Sequence, residues 1–146
     1  MTISITRKLK FDAGHRVLNH ESKCKYPHGH EYRLEVVMEP QAGLDALGRV
    51  VDFGEIKKTL QNFIDEYLDH AFIVFIDDTE MLDALHSLSD AKIYPMAENP
   101  TAENIASNLF VVFDQLLQED HPEAFITALT VHETSNCSAT VTGGSK

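Results

Sequence analysis

The sequence predicts an α+β fold, an antiparallel sheet of order β-β-α-α-β-β with two helices packed on one face. Three observations lead there. Residues near both ends of the chain alternate apolar and polar at period two, the mark of half-buried strands. The middle instead carries two apolar stripes at helical spacing. No repeat, low-complexity tract or linker interrupts the 146 residues, so 1–146 reads as one domain with hairpins at its ends and helices between them.

The elements follow in order. Ile3, Ile5, Leu9 and Phe11 recur at period two, and extending that period through Ala13 places His15 on the same face. After a turn region at 27–29, Tyr32, Leu34, Val36 and Met38 form a second alternating strand that ends at Glu39-Pro40. His28 and His30 share its apolar parity. Residues 41–51 read as a loop with an edge strand. Asp52 is placed to cap a helix, with Glu55 in the capping-box position. Ile56, Leu60, Phe63, Ile64 and Tyr67 form that helix's buried stripe. Residues 71–99 read as a variable stretch with a short helix near 79–88. Thr101 then caps a second long helix, with Glu103 favourable in its first turn and Ile105, Leu109, Val112, Phe113, Leu116 and Leu117 inward. Residues 125–133 read as a strand, and a turn at Ser135-Asn136 leads into a last one through Val141.

Composition narrows the function classes. With 43% hydrophobic and 24% charged residues, the chain has the make-up of an ordinary soluble protein. Its net charge of −11 argues against a nucleic-acid partner, which needs a basic footprint. The charge is uneven. Residues 1–33 hold seven basic side chains against three acidic ones, which suits attraction of a small polyanion such as a phosphate ester. The alternating first ten residues contain no long apolar run, so neither a signal peptide nor a membrane partner is expected. Two cysteines, Cys24 and Cys137, make no disulfide framework, and a cytoplasmic location follows.

The segment Cys24-Lys25-Tyr26-Pro27-His28-Gly29-His30 carries the chemistry. Two histidines at i, i+2 on extended backbone point to one side, so both imidazoles can reach a single ion. Gly29 between them leaves the stretch uncrowded, and His15 on the neighbouring strand is the natural third ligand. Three histidines with one open position suit catalytic zinc. Cys24 as a fourth ligand would instead close a structural site, although a domain of this size needs no metal to fold.

The chain resembles the 6-pyruvoyltetrahydropterin synthase and 6-carboxytetrahydropterin synthase family along nearly its whole length. The match runs through Phe11-Asp12-Ala13-Gly14-His15, Cys24-x₃-His28-Gly29-His30-x-Tyr32 and Val51-Asp52-Phe53-Gly54-Glu55-Ile56-Lys57. It continues through Leu68-Asp69-His70, Asn99-Pro100-Thr101-Ala102-Glu103-Asn104 and Val131-His132-Glu133-Thr134. The resemblance implies a T-fold whose subunits assemble as trimers or hexamers, with zinc on His15, His28 and His30. It implies Cys24 as general base, its thiol acidified by the metal and by Lys23 and Lys25. Asp69 and His70 would form a proton relay, Glu133 would anchor the pterin ring, and Glu103 would assist from a neighbouring subunit. On sequence position alone, Asp69-His70 is equally a helix C-terminus, and Glu133 and Glu103 are equally solvated.

The implied reaction is conversion of 7,8-dihydroneopterin triphosphate to 6-carboxy-5,6,7,8-tetrahydropterin, acetaldehyde and triphosphate, toward queuosine-type deazapurines. Cys24 stands four positions before His28, the spacing of the bacterial carboxy-forming enzymes. The alternatives are the pyruvoyl-forming reaction, which eliminates triphosphate without carbon–carbon cleavage, and a non-catalytic zinc-stabilised pterin-binding protein. The stretch 71–99 is longer than in compact members, which implies a different rim to the site.

Overall fold

The computed structural model describes residues 1–143. β1 (Ile5–His15) and β2 (His28–Pro40) form the expected antiparallel pair, and Leu9 faces Leu34 while Phe11 faces Tyr32. Because both strands bury their apolar parity, Leu9, Phe11, Tyr32, Leu34, Val36 and Met38 all enter the core. β5 (Ala124–Thr134) runs antiparallel to β2, with a bulge at Val37–Met38, and β6 (Cys137–Thr142) runs antiparallel to β5.

The helices begin where the caps predict. In α1 (Phe53–Phe63) the Asp52 carboxylate accepts the Gly54 and Glu55 amides, and in α3 (Ala102–Asp120) the Thr101 hydroxyl accepts the Asn104 amide. Ile56 and Leu60 from α1 meet Ile105, Leu109, Phe113 and Leu117 from α3 over the sheet, in one apolar cluster with Leu129 and Val131. Each such side chain contributes roughly 1.5–3 kcal/mol on burial, so this core does not depend on a metal. The end of α1 widens into a π turn, Ile64–Leu68. A wider turn advances each residue through a smaller angle, which keeps Leu68 buried and swings Tyr67, expected in the stripe, out to 46% exposure.

Two differences from the sequence reading concern the connections. Residues 41–51 form no edge strand. Asp45 gathers them instead, its carboxylate accepting the Leu47 and Arg49 amides and the Arg49 guanidinium. Residues 71–99 hold more than the expected helix. Besides α2 (Thr79–His86) they supply β3 (Ala71–Phe75) and β4 (Ile93–Met96). β3 lies parallel to β1 and β4 parallel to β3, so the six-stranded sheet reads β4-β3-β1-β2-β5-β6. The unbroken apolar run Ala71-Phe72-Ile73-Val74-Phe75 was the available signal, since parallel strands buried on both faces do not alternate. β3 lies alongside the end of β1 that carries His15, the partner of Ile73 in the ladder.

Candidate metal centre and active site

The centre forms where β1 ends and β2 begins. In the antiparallel ladder His15 faces His28 directly, and His30 faces Ala13 one pair further along the same side. The three rings lie 4.6–5.1 Å apart by centroid. Each offers a nitrogen within 4.8 Å of those of the other two, the one such group able to hold a metal among the described residues. The paired glycines permit the approach. A Cβ on Gly14 would come within 2.8 Å of the Phe72 ring, and one on Gly29 within 3.2 Å of the Ala13 carbonyl oxygen.

Backbone carbonyls set the tautomers. His15 Nδ1–H donates to the Pro100 carbonyl at 2.7 Å, and His28 Nδ1–H donates to the Tyr26 carbonyl at 2.7 Å. Both therefore turn an unprotonated Nε2 inward, and these two atoms stand only 3.1 Å apart. Glu133 Oε1 adds a carboxylate oxygen 3.3 Å from His15 Nε2 and 3.5 Å from His30 Nε2. Burial, opposed by the Pro100 hydrogen bond and reinforced by the other two histidines, pushes His15 down to about 4. Burial likewise lowers His30, against the pull of Glu133. Inward-turned Nε2 atoms whose opposite ring nitrogens are tied to carbonyls fit a cation between them, and the all-nitrogen set of His15, His28 and His30 suits zinc.

The remaining sequence-derived residues surround this cluster at different distances. Glu133 is half-buried between the histidines and an open groove of about 920 Å³, lined also by Lys8, Lys10, Arg33 and His132. Cys24 is half-buried in a single 3-10 turn, Lys23–Lys25, and does not belong to the metal-capable group. Asp69 accepts the Asp12 amide on Oδ1 and His70 Nδ1–H on Oδ2, both at 3.0 Å. The Asp12 amide first, then His70 and Lys92, holds the Asp69 carboxyl below its ordinary range. His70 has a left-handed backbone (φ 63°), donates its amide to the Asp12 carbonyl, and opens its ring to solvent. It shares a surface cleft with His30, Gly14 and Gly29. Glu103 is exposed on the first turn of α3 and is not brought to the cluster.

Several residues around the site escaped the sequence reading. The Pro100 and Tyr26 carbonyls orient two of the histidines, and a carbonyl leaves no trace in residue identity. Arg16, next to His15, makes a two-pronged ion pair with Asp78, which is 2% exposed and also caps α2. Tyr32, read from the sequence as a core residue of its strand, is fully buried against the cluster, but its hydroxyl has no hydrogen-bond partner among the described residues.

A histidine triad at the end of an antiparallel pair defines a metal-capable α+β protein, and comparison gives the class. The family model for 6-pyruvoyl tetrahydropterin synthase matches residues 4–144, and the chain belongs to that family. Within it, the chain is similar to the 6-carboxy-5,6,7,8-tetrahydropterin synthase of Rickettsia conorii, 43% identical over 136 residues that cover 92% of this chain and 96% of the relative. The enzyme of the same name from Aquifex aeolicus is 31% identical, covering 82% and 83%. The chain is therefore a 6-carboxytetrahydropterin synthase-like pterin lyase. Among solved structures, an uncharacterised protein of Wolinella succinogenes superposes with a TM-score of 0.83 at 23% identity over 99% of both chains. A Plasmodium vivax 6-pyruvoyltetrahydropterin synthase superposes with a TM-score of 0.71 at 15% identity over 97% of both, and both neighbours share the T-fold. Among the described residues, no helix is long and apolar enough to cross a membrane.

Proposed function

We propose that this enzyme converts 7,8-dihydroneopterin triphosphate to 6-carboxy-5,6,7,8-tetrahydropterin with release of acetaldehyde and triphosphate, using zinc held by His15, His28 and His30. The observation that carries the metal reading is the convergence of unprotonated Nε2 atoms, 3.1 Å apart, with each opposite ring nitrogen tied to a carbonyl. The names of the relatives support the carboxy-forming reaction.

When bound, zinc would supply a Lewis acid and a template for the side-chain hydroxyls of the substrate. The chain's own residues supply the rest. Cys24, on the loop that joins the two histidine strands but outside the ligand group, removes a proton as general base. His70, oriented through Nδ1 by Asp69, keeps Nε2 free to exchange a second proton from the neighbouring cleft. Glu133, bordering the groove, accepts two parallel hydrogen bonds from the 2-amino group and adjacent N–H of the pterin. Lys8, Lys10 and Arg33 on the groove wall attract the triphosphate.

The product would feed queuosine-type deazapurine synthesis in the reducing cytoplasm, where Cys24 and Cys137, both free, remain thiols. The sheet ends in β4 and β6, edges that a second copy can extend, which supports a trimer or hexamer to which Glu103 contributes across a subunit boundary. Incubating the zinc-loaded protein with 7,8-dihydroneopterin triphosphate and resolving products by mass tests the assignment. The carboxylated pterin with equimolar acetaldehyde is expected. A pyruvoyl product without acetaldehyde would move the enzyme to the other reaction of its family.

A further inference from the structure

The loop between β1 and β2 carries Cys24 but contains no strand, so something outside it must set its position. Inside the loop, the Val17 amide donates to the Cys24 carbonyl at 2.9 Å, which links Cys24 to the residue after Arg16. The next residue, Leu18, is gripped from outside. Its amide donates to Asn99 Oδ1 at 2.9 Å, and its carbonyl accepts from Asn99 Nδ2 at 3.1 Å.

A carboxamide presents one donor and one acceptor in a single plane, so Asn99 pairs with Leu18 as a neighbouring strand residue would. Its own backbone is pinned in turn, the Asn99 carbonyl accepting Asn104 Nδ2 at 2.9 Å and the Thr101 amide at 2.8 Å. The residue after it, Pro100, offers the carbonyl that orients His15. One short segment at the start of α3 therefore refers both the Cys24 loop and a histidine of the cluster to the same rigid helix.

We propose that Asn99 is a positioning residue, registering the Cys24 loop against the histidine cluster through its paired hydrogen bonds to Leu18. The catalytic part of this proposal rests on the reading of Cys24 as general base. Ordering a loop residue opposes backbone entropy, and a misplacement of about 1 Å at a reacting group costs up to about 10²-fold in rate. A clamp one residue from the Val17–Cys24 link therefore acts on turnover without touching substrate.

The test compares the zinc-loaded wild-type chain with its Asn99→Asp, Asn99→Ala and Cys24→Ala forms. Asn99→Asp keeps the shape but turns the Nδ2 donor into an acceptor facing the Leu18 carbonyl, so a residue that merely filled space would tolerate it. Amide exchange across residues 16–26 should accelerate about ten-fold or more in both Asn99 variants. Iodoacetamide should modify Cys24 at a rate several-fold different from wild type, and kcat should fall about ten- to a hundred-fold with KM nearly unchanged. Zinc content should stay at the wild-type level, because the partner of His15 is the Pro100 carbonyl rather than the Asn99 side chain.

Wild-type exchange and kcat in Asn99→Asp would overturn the proposal, as would loss of zinc in step with activity. Should Asn99→Asp not fold, the same measurements on Asn99→Ala decide. Cys24→Ala separates the two failures. If it turns over normally, the base assignment is wrong, while loop exchange in the Asn99 variants still decides whether the clamp exists.

Discussion

Replacing Tyr32 by Phe should make this protein more stable. The Tyr32 ring is fully buried, stacked on Phe11 at 5.2 Å and edge-on to His15 and His30, and phenylalanine keeps every one of those contacts. Only the hydroxyl is lost, and that oxygen has no partner among the described residues. Burial first, and then the Glu133 charge, push its ionisation upward, so it stays a neutral O–H with nothing among the described residues to accept its proton. A buried polar group without a partner costs about 1–3 kcal/mol, because unfolding returns it to water. Removing an oxygen of roughly 10 Å³ leaves a void worth about 0.2 kcal/mol at ~24 cal/mol per Å³. The net gain is about 1–3 kcal/mol, or roughly 3–9 °C in Tm for a chain of this size. Urea unfolding of the metal-stripped wild type and variant at matched protein concentration measures it. A variant less stable than wild type by about 1 kcal/mol or more would refute the reasoning, since the hydroxyl would then have a partner that stabilises the fold. Measuring zinc content alongside shows whether the stability was exchanged for a contact at the metal.

The other predictions concern the site more directly. His28→Ala should lose most of its zinc and still unfold cooperatively, because the apolar core lies elsewhere; elemental analysis beside a urea curve checks both. Cys24→Ala should retain zinc near the wild-type level while turnover falls about 10²–10⁴-fold, and departure of the metal with the thiol would make Cys24 a ligand instead. In the metal-free protein, His15 takes up its proton near 6.5 when unfolded but only near 4 when folded. The unfolded chain therefore binds more protons between those values. Stability falls as pH drops through that window, by up to roughly 3 kcal/mol, and His15→Gln should flatten this part of the pH–stability curve. Arg16→Ala leaves Asp78 buried without its partner and should cost about 3–5 kcal/mol; a loss below about 1 kcal/mol by urea unfolding would show that Asp78 finds compensation.

Local chemistry makes most of this protein legible from its residues alone. Asp52 and Thr101 cap helices because their side chains reach amides two or three residues away, and such signals survive in sequence. The period of two puts His28 and His30 on the core side of β2, and continuing it along β1 puts His15 beside them, which is how the ladder pairs them. What tertiary structure alone decided involves partners distant along the chain. The carbonyl that orients His15 belongs to Pro100, 85 positions away, and a backbone acceptor is the same atom in every residue. β3 stayed hidden because an inner parallel strand has no alternation to read, and β4 because a four-residue edge strand is too short to show a period. Tyr67 left the stripe because a π turn changed the helical angle beneath it. The clamp between Asn99 and Leu18 exists only once β1 and the start of α3 have packed together. Residue types and short spacings specify which groups can meet at this site; register and packing specify which atoms of the distant backbone hold them there.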